Sequence, residues 1–265
     1  MAETKQETTK TTPDVKQSTF IVSFETALNK KDADFCEKKL RVGKQIYNAC
    51  LNEGLKRIGC YRRDPEYAKA IKQYRIVKAD ETMPKEEKEA EKKRLGAIMN
   101  EAKKKHGFNG KYCLNDFRGE QARKFKGVIG STIVTDLSLR AYAALKKYEN
   151  GEAKKVHFVR ADEDFSIEGT LENGLMFRHG LLYFDRNHFI DVDTSKVAKD
   201  PYLQEAMTHE IRHCRLTRKT IRGKHRYYLQ ILYAGIPRMG KRIYGTGDVT
   251  ILDVKISHVN NPALN

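Results

Sequence analysis

The order in which strand-like and helix-like segments follow one another constrains this chain more than any other feature of its sequence. A single apolar and aromatic run, Phe20-Ile21-Val22 with Phe24, has the composition of a β-strand. Residues 31–150 then carry a helix-type pattern, and strand-like segments return only after that. The first strand thus stands apart from the later strands, with which we expect it to form one β domain. The order therefore predicts an α+β fold in which a helical segment, far longer than an ordinary loop, is inserted into a β-barrel.

The inserted segment divides into five predicted helices. Apolar residues recur at steps of three and four from residue 32 onward, as on an amphipathic helix, and these residues are Phe35, Leu40, Ile46, Tyr47, Cys50, Leu51, Leu55 and Ile58. Pro65 and Pro84 suit the first turns of a second and a third helix, where the missing N–H of proline costs nothing. Residues 114–124 and 131–148 give the fourth and fifth helices, and Asn150-Gly151 is typical of a helix end.

The region after residue 150 begins with short predicted strands. Strands around Val156 and Phe165 flank a polar turn, and residues 175–184 predict a hairpin with Arg178-His179-Gly180 at its tip. These segments are too short to form a core alone, so we expect them to belong to the same barrel as the first strand.

A short helix and a long hairpin complete the pattern. Pro201 begins the helix, and residues 214–233 predict two long strands that meet at Arg222-Gly223-Lys224. The expected organisation is a disordered tail at 1–18, the first barrel strand at 19–30, a helical domain at 31–150, the remainder of the barrel at 151–240, and a separate C-terminal segment at 241–265.

The net charge indicates the kind of partner. Lysine and arginine number 51 against 35 aspartate and glutamate residues, which gives a formal charge of +16. Such an excess favours a polyanion, with nucleic acid as the leading candidate. No apolar run reaches the length of a membrane span, and residues 1–18 lack the apolar core of a signal peptide, so we expect no membrane association and a cytoplasmic location.

The basic residues concentrate in residues 211–247, which contain no acidic residue. The cations are Arg212, Arg215, Arg218, Lys219, Arg222, Lys224, Arg226, Arg238, Lys241 and Arg242. Tyr227 and Tyr228 lie among them, so one surface could hold a phosphate backbone and also stack against bases. The alternative is that the tyrosines fill the barrel core while the cations only keep the hairpin soluble. We favour the nucleic-acid interpretation.

One five-residue string, His209-Glu210-Ile211-Arg212-His213, matches the H-E-x-x-H pattern of zinc hydrolases. Zinc binding by that pattern requires both imidazoles on one face of a continuous helix. The short helix is expected to end before His213, which then lies in extended structure. The five cysteines also lack a C-x-x-C pair. A zinc hydrolase is thus only a remote alternative, and we expect no metal site and no cofactor.

Several segments together resemble the TnpB family of transposon-encoded, RNA-guided nucleases, which are relatives of type V CRISPR effectors. The resemblance lies in Tyr47-Asn48, in the segments VHF at 156–158 and FSIEG at 165–169, and most strongly in CRLTRKTIRGK at 214–224 with Tyr227-Tyr228. It implies that the barrel is an OB-like wedge domain and the helical insertion a recognition domain. It also implies a structured guide RNA as partner and double-stranded DNA as target.

The resemblance also extends to the start of a RuvC nuclease domain. Gly247-Asp248-Val249 and Leu252-Asp253-Val254 resemble its first strand, with Asp253 in the place of the first catalytic aspartate. Lys255, which is close to that carboxylate, would compete with Mg²⁺. Two-metal cleavage needs several carboxylates, and the family's later ones have no counterpart here. We therefore expect an RNA-binding protein with a vestigial Asp253, or else part of a nuclease that a second protein chain and Mg²⁺ complete.

Overall fold

The computed structural model describes residues 18–26, 28–169, 174–184 and 188–235. Four of the predicted functional residues, Arg238, Lys241, Arg242 and Asp253, lie outside these ranges, as do the predicted RuvC-like strand and most of the predicted tail.

The described residues form a mixed α+β structure, as predicted. The helices are α1 (Lys30–Arg63), α2 (Pro65–Ala79), α3 (Lys85–Lys105), α4 (Asn115–Lys124), α5 (Ser131–Glu149) and α6 (Pro201–Ala206). The strands are β1 (Thr19–Thr26), β2 (Phe165–Gly169), β3 (Met176–Arg178), β4 (Leu181–Tyr183), β5 (Phe189–Asp191), β6 (Ile211–Ile221) and β7 (Lys224–Ala234).

The first two helices begin at residues whose side chains cap them. The Asn29 side chain accepts a hydrogen bond from the backbone N–H of Asp32, and Asp64 caps α2 in the same way, just ahead of Pro65. These side-chain oxygens satisfy N–H groups that have no partner inside the helix. The structure contains α1 to α5, which confirms the five predicted helices of the insertion.

Within the described ranges, no helix has both the length and the apolar character that crossing a membrane requires.

The first strand pairs with the last one, so it belongs to the same sheet as later strands, as the order of elements predicted. The larger sheet has the strand order β1-β7-β6-β2, and β1 pairs antiparallel with β7 from Thr19 opposite Ala234 to Thr26 opposite Tyr227. A second antiparallel sheet has the order β3-β4-β5. In the described part of the chain these two sheets do not close into a barrel, because β1 and β2 remain edge strands of the larger one.

The first half of α1 covers the inner face of the larger sheet. Leu216, Leu229 and Ile167 are all fully or almost fully buried on that face. Gly43 of α1 lies so close that a Cβ there would be 2.9 Å from Cγ2 of Ile167. A single hydrophobic core therefore runs through the expected boundary at residue 30 and joins the helical segment to the sheet.

The strand predicted around Val156 is wrong. Residues 156–160 form no strand, and Phe158 is exposed. The Asn48 amide donates to the carbonyl of Val159 at 2.8 Å and accepts from its N–H at 2.9 Å, so a side chain of α1 takes the place of a partner strand. Lys44 continues this attachment, because its Nζ donates to the carbonyls of Ala161 at 2.7 Å and Glu163 at 2.5 Å.

Candidate nucleic-acid interface

The hairpin of β6 and β7 presents alternate residues to opposite faces of the larger sheet. Its inner face is buried and carries Cys214, Leu216, Arg218, Tyr227, Leu229, Ile231 and Tyr233. Its outer face is partly exposed and carries His213, Arg215, Thr217, Lys219, Arg226, Tyr228, Gln230 and Leu232. The alternation therefore divides the predicted interface residues into two sets.

Arg218 belongs to the core, and this removes it from the predicted interface. Only 2% of the residue is exposed. Its Nη1 donates to Oε1 of Glu37 at 2.8 Å, while its Nη2 donates to the carbonyls of Asp162 at 3.0 Å and Glu163 at 2.7 Å. A guanidinium that is buried and bonded in this way is not available to a phosphate. Together with Lys44, it holds the loop before β2 in place.

Tyr227 is likewise a core residue. It is 8% exposed, and its hydroxyl donates a long hydrogen bond of 3.4 Å to Oε2 of Glu37. Burial, with Glu37 nearby, raises the pKa of this phenol to about 12. The alternative interpretation, in which tyrosines fill the core, thus describes Tyr227 and also Tyr233, which is fully buried. Tyr228 lies on the outer face, so it stays in the candidate interface.

Two arginines of the outer face are paired with carboxylates from the edge strands. Nη1 of Arg226 donates to Oε1 of Glu25 on β1 at 2.8 Å. Nε of Arg215 lies 2.8 Å from Oε1 of Glu168 on β2, but its N–H does not point at that oxygen, so the contact is an ion pair without a hydrogen bond. Both guanidinium groups therefore keep N–H donors for a further anion.

The end of the hairpin extends past its neighbours. β1 ends at Thr26, opposite Tyr227, and β2 begins at Phe165, opposite Arg218. Residues 219–226 therefore form a ribbon of two strands, and every residue of it is exposed. We call this segment the basic ribbon because it contains Lys219, Arg222, Lys224 and Arg226 and no acidic residue.

Three of the four cations of the basic ribbon have no carboxylate partner among the described residues. Among the residues that the structure describes, only Arg226 of this segment forms an ion pair. The Lys219 ammonium instead lies 5.5 Å from the centroid of the Tyr228 ring, while Arg222 and Lys224 are exposed at and beside the turn. One acid does touch the ribbon, since Oδ1 of Asp164 accepts from the N–H of Thr220 at 2.9 Å, but it leaves the three cations unpaired.

The hairpin turn consists of two residues, Arg222 and Gly223, which is the turn length favoured between twisted antiparallel strands. Arg222 has a φ of 52° and Gly223 a φ of 74°, and Ile221 pairs with Lys224 on either side of them. Two successive positive φ angles define a type I′ turn, in which glycine is favoured at the second position and asparagine at the first. Arg222 thus occupies a position that suits it poorly as a turn residue.

The opposite end of the outer face is close to electrically balanced. Glu168 pairs with Arg215 and also lies 3.6 Å from Nε2 of His213. Burial, together with the charge of Glu168, raises the pKa of Asp136 on α5 to about 6. Burial lowers the pKa of His213. Unbalanced positive charge is therefore concentrated at the ribbon end.

The H-E-x-x-H string does not lie on a helix. α6 ends at Ala206 and β6 begins at Ile211, three residues before the predicted start near Cys214, so His213 lies in extended structure, as the sequence predicted. Nδ1 of His209 lies 2.9 Å from the carbonyl oxygen of Ala234, whereas His213 faces Glu168. The two imidazoles therefore have separate partners instead of facing one metal position.

Arg212 lies at an irregularity of β6. The register shifts between Ile211 and His213, which leaves Arg212 exposed, with its Nη1 3.2 Å from Oε1 of Glu210.

The sequence interpretation missed the role of Lys44 and Asn48 in holding the loop before β2. It had a usable signal for Arg218, because residues 214, 216 and 218 share one strand face and the first two are apolar.

Comparison with known proteins gives no match that identifies the chain. No protein-family model matches it, and no curated protein is similar to it at a significant level. Function is therefore inferred from the geometry of the interface, which offers fixed positive charges and one partly exposed aromatic ring.

Proposed function

We propose that this protein binds RNA and that the basic ribbon contacts the phosphate backbone. The observation that carries the proposal is the exposure of Lys219, Arg222 and Lys224 on one narrow projection without a carboxylate partner in the described residues. Like charges held this close repel one another, and a phosphate backbone removes that cost. Each lysine or arginine that contacts a phosphate also releases a condensed counterion, which favours binding.

The nature of the RNA follows from the resemblance to TnpB proteins. That resemblance supports a structured, guide-type RNA as the partner, with double-stranded DNA as a further ligand. The separation of β1 from its partner β7 by five helices supports the proposal that the larger sheet corresponds to a wedge domain. On this proposal, α1 to α5 correspond to the recognition domain.

The proposal is tested by removing the three unpaired cations without disturbing the fold. We expect the combined change Lys219→Ala, Arg222→Asn and Lys224→Ala to weaken binding to a structured RNA at least about tenfold at low salt, because about three phosphate contacts are lost. The measurement is fluorescence anisotropy with a labelled RNA stem-loop.

A matched control separates the ribbon from overall charge. Lys154, Lys155 and Lys199 lie outside the ribbon and outside α1 to α5, are also exposed and form no ion pair with another described residue, so changing them to alanine lowers the formal charge by the same three units. This control variant should bind almost as the unmodified protein does. Equal losses in the two variants would show that net charge alone governs binding and that the ribbon is not the interface.

A further inference from the structure

The strand register places the outer-face residues in rows that cross the sheet. Tyr228 lies opposite Glu25 on one side and Thr217 on the other, and Thr217 lies opposite Ser166. Tyr228 is the only Phe, Tyr or Trp on this face of the described strands. Two of its three row neighbours, Thr217 and Ser166, are small, which leaves a shallow polar shelf beside the ring.

Anion-binding groups lie on both sides of this shelf. Arg226 is two residues from Tyr228 on β7, and Arg215 lies on the next row, opposite Gln230. Successive rows of one strand face are about 7 Å apart. Glu25 and Glu168 hold the two guanidinium groups in place, so that less side-chain entropy is lost when a phosphate binds.

The width of the sheet decides which form of nucleic acid can use this shelf. Four strands about 4.8 Å apart span about 14 Å, which exceeds the width of about 12 Å of the major groove of B-DNA. The bases of a duplex are stacked on one another and cannot lie on a tyrosine ring. The basic ribbon, with only two strands, is narrow enough for a groove, but it does not include Tyr228.

We infer that the outer face of the larger sheet binds an unpaired segment of RNA, with one base stacked on Tyr228 and the adjacent phosphates at Arg215 and Arg226. The Lys219 ammonium lies over the Tyr228 ring, 5.5 Å from its centroid, and adds a cation at the stacking site. This inference rests on the proposed RNA-binding function and adds that the site binds single-stranded RNA. The alternative is that the ribbon alone binds, with paired RNA or DNA as its ligand.

The inference is tested with two probes, a short oligouridine that cannot pair and a blunt duplex RNA of the same length. Tyr228→Leu keeps apolar bulk but removes the aromatic face, whereas Tyr228→Phe keeps the ring. We expect Tyr228→Leu to weaken oligouridine binding by about 5- to 150-fold, the range for loss of one stacked base, and to leave duplex binding unchanged. Tyr228→Phe should bind both probes as the unmodified protein does.

Controls distinguish this inference from the function on which it rests. Tyr112→Leu changes another exposed tyrosine, on the segment before α4, and should leave oligouridine binding unaltered. If the unmodified protein binds neither probe, the proposed RNA-binding function itself fails. If both probes bind, the ribbon variant weakens both, and Tyr228→Leu alters neither, RNA binding stands and the stacking site is refuted. Equal weakening of both probes by Tyr228→Leu would also refute the stacking site. So would the combination of a Tyr228→Leu variant that is unfolded in a thermal melt and a Tyr228→Phe variant that binds oligouridine less tightly than the unmodified protein.

Discussion

Two adjacent residues, Arg218 and Lys219, show that position on a strand decides what a cation does. Arg218 points to the inner face, where it bonds to Glu37 and to two backbone carbonyls. Lys219 points to the outer face and is exposed. The same formal charge therefore contributes to folding in one case and to the candidate interface in the other.

Replacing Arg218 should affect stability far more than replacing Lys219. Loss of Arg218 leaves the carbonyl of Asp162 without its donor and removes the ion-pair partner of Glu37, whose side chain is 36% exposed; a lost hydrogen bond to a charged group costs about 1.5–3 kcal/mol. We expect Arg218→Ala to lower the free energy of unfolding by that amount, and Lys219→Ala to change it by less than about 0.5 kcal/mol. Urea unfolding followed by circular dichroism measures both values. Similar small values for the two variants would contradict the buried role of Arg218.

At the scale of elements, the hairpin of β6 and β7 combines a favourable register with an unfavourable turn residue. Its strands pair over their whole length, and apart from one irregularity near Ile211 the register is regular. Gly223 suits the positive φ that the second turn position requires, but Arg222 adopts a φ of 52° without the help of a short polar side chain. The cation at the tip, Arg222, therefore lowers the stability of the turn.

The turn offers a variant that separates folding from binding. Arg222→Asn puts the preferred residue at the first position of a type I′ turn, so we expect it to raise the melting temperature slightly while it weakens RNA binding. Gly223→Ala, in contrast, forces a Cβ into the left-handed region and should destabilise the protein by about 1 kcal/mol. Thermal melts and anisotropy titrations of both variants check this. Reduced stability of Arg222→Asn would show that Arg222 has a structural partner.

The contact between α5 and β2 should make stability depend on pH. Burial and Glu168 raise the pKa of Asp136 to about 6, above its value in the unfolded chain, so the stability from its protonated form is present at low pH and is lost as pH rises through about 6. Between pH 4 and pH 8, we expect Asp136→Asn to gain up to about 3 kcal/mol relative to the unmodified protein. Because His213 is present in both proteins, its contribution to the pH dependence of stability largely cancels in the difference. A pH-independent difference between the two urea curves would contradict the shift.

For the whole molecule, periodic and local patterns predicted the elements well, whereas contacts between distant segments remained unpredicted. Proline positions predicted the starts of α2, α3 and α6, and the lone strand at Phe20 joins the later strands in one sheet, as expected. The attachment of residues 156–164 to Asn48 and Lys44 of α1 is a tertiary contact that no local pattern encodes. Arg218 was assigned to the interface because the charge of the segment was counted without regard to strand face.

The distribution of charge also follows from tertiary structure. Glu25 and Glu168 are distant in sequence from Arg226 and Arg215, so the sequence alone suggested a more uniformly basic hairpin than the structure shows. With these pairs formed and Arg218 buried, the unpaired charge of the described hairpin lies at the ribbon end. The hairpin therefore presents its unpaired positive charge on one narrow projection among the residues that the structure describes.

The salt dependence of RNA affinity tests the central claim most directly. For the unmodified protein and for the variant with Lys219→Ala, Arg222→Asn and Lys224→Ala, the slope of log affinity against log salt concentration is measured with one structured RNA. Each phosphate contact contributes about 0.7 to 0.9 to that slope, so we predict that the variant's slope is smaller by about two to three, with a melting temperature that is not lowered. An identical slope for the two proteins would contradict the claim that the basic ribbon holds the RNA backbone.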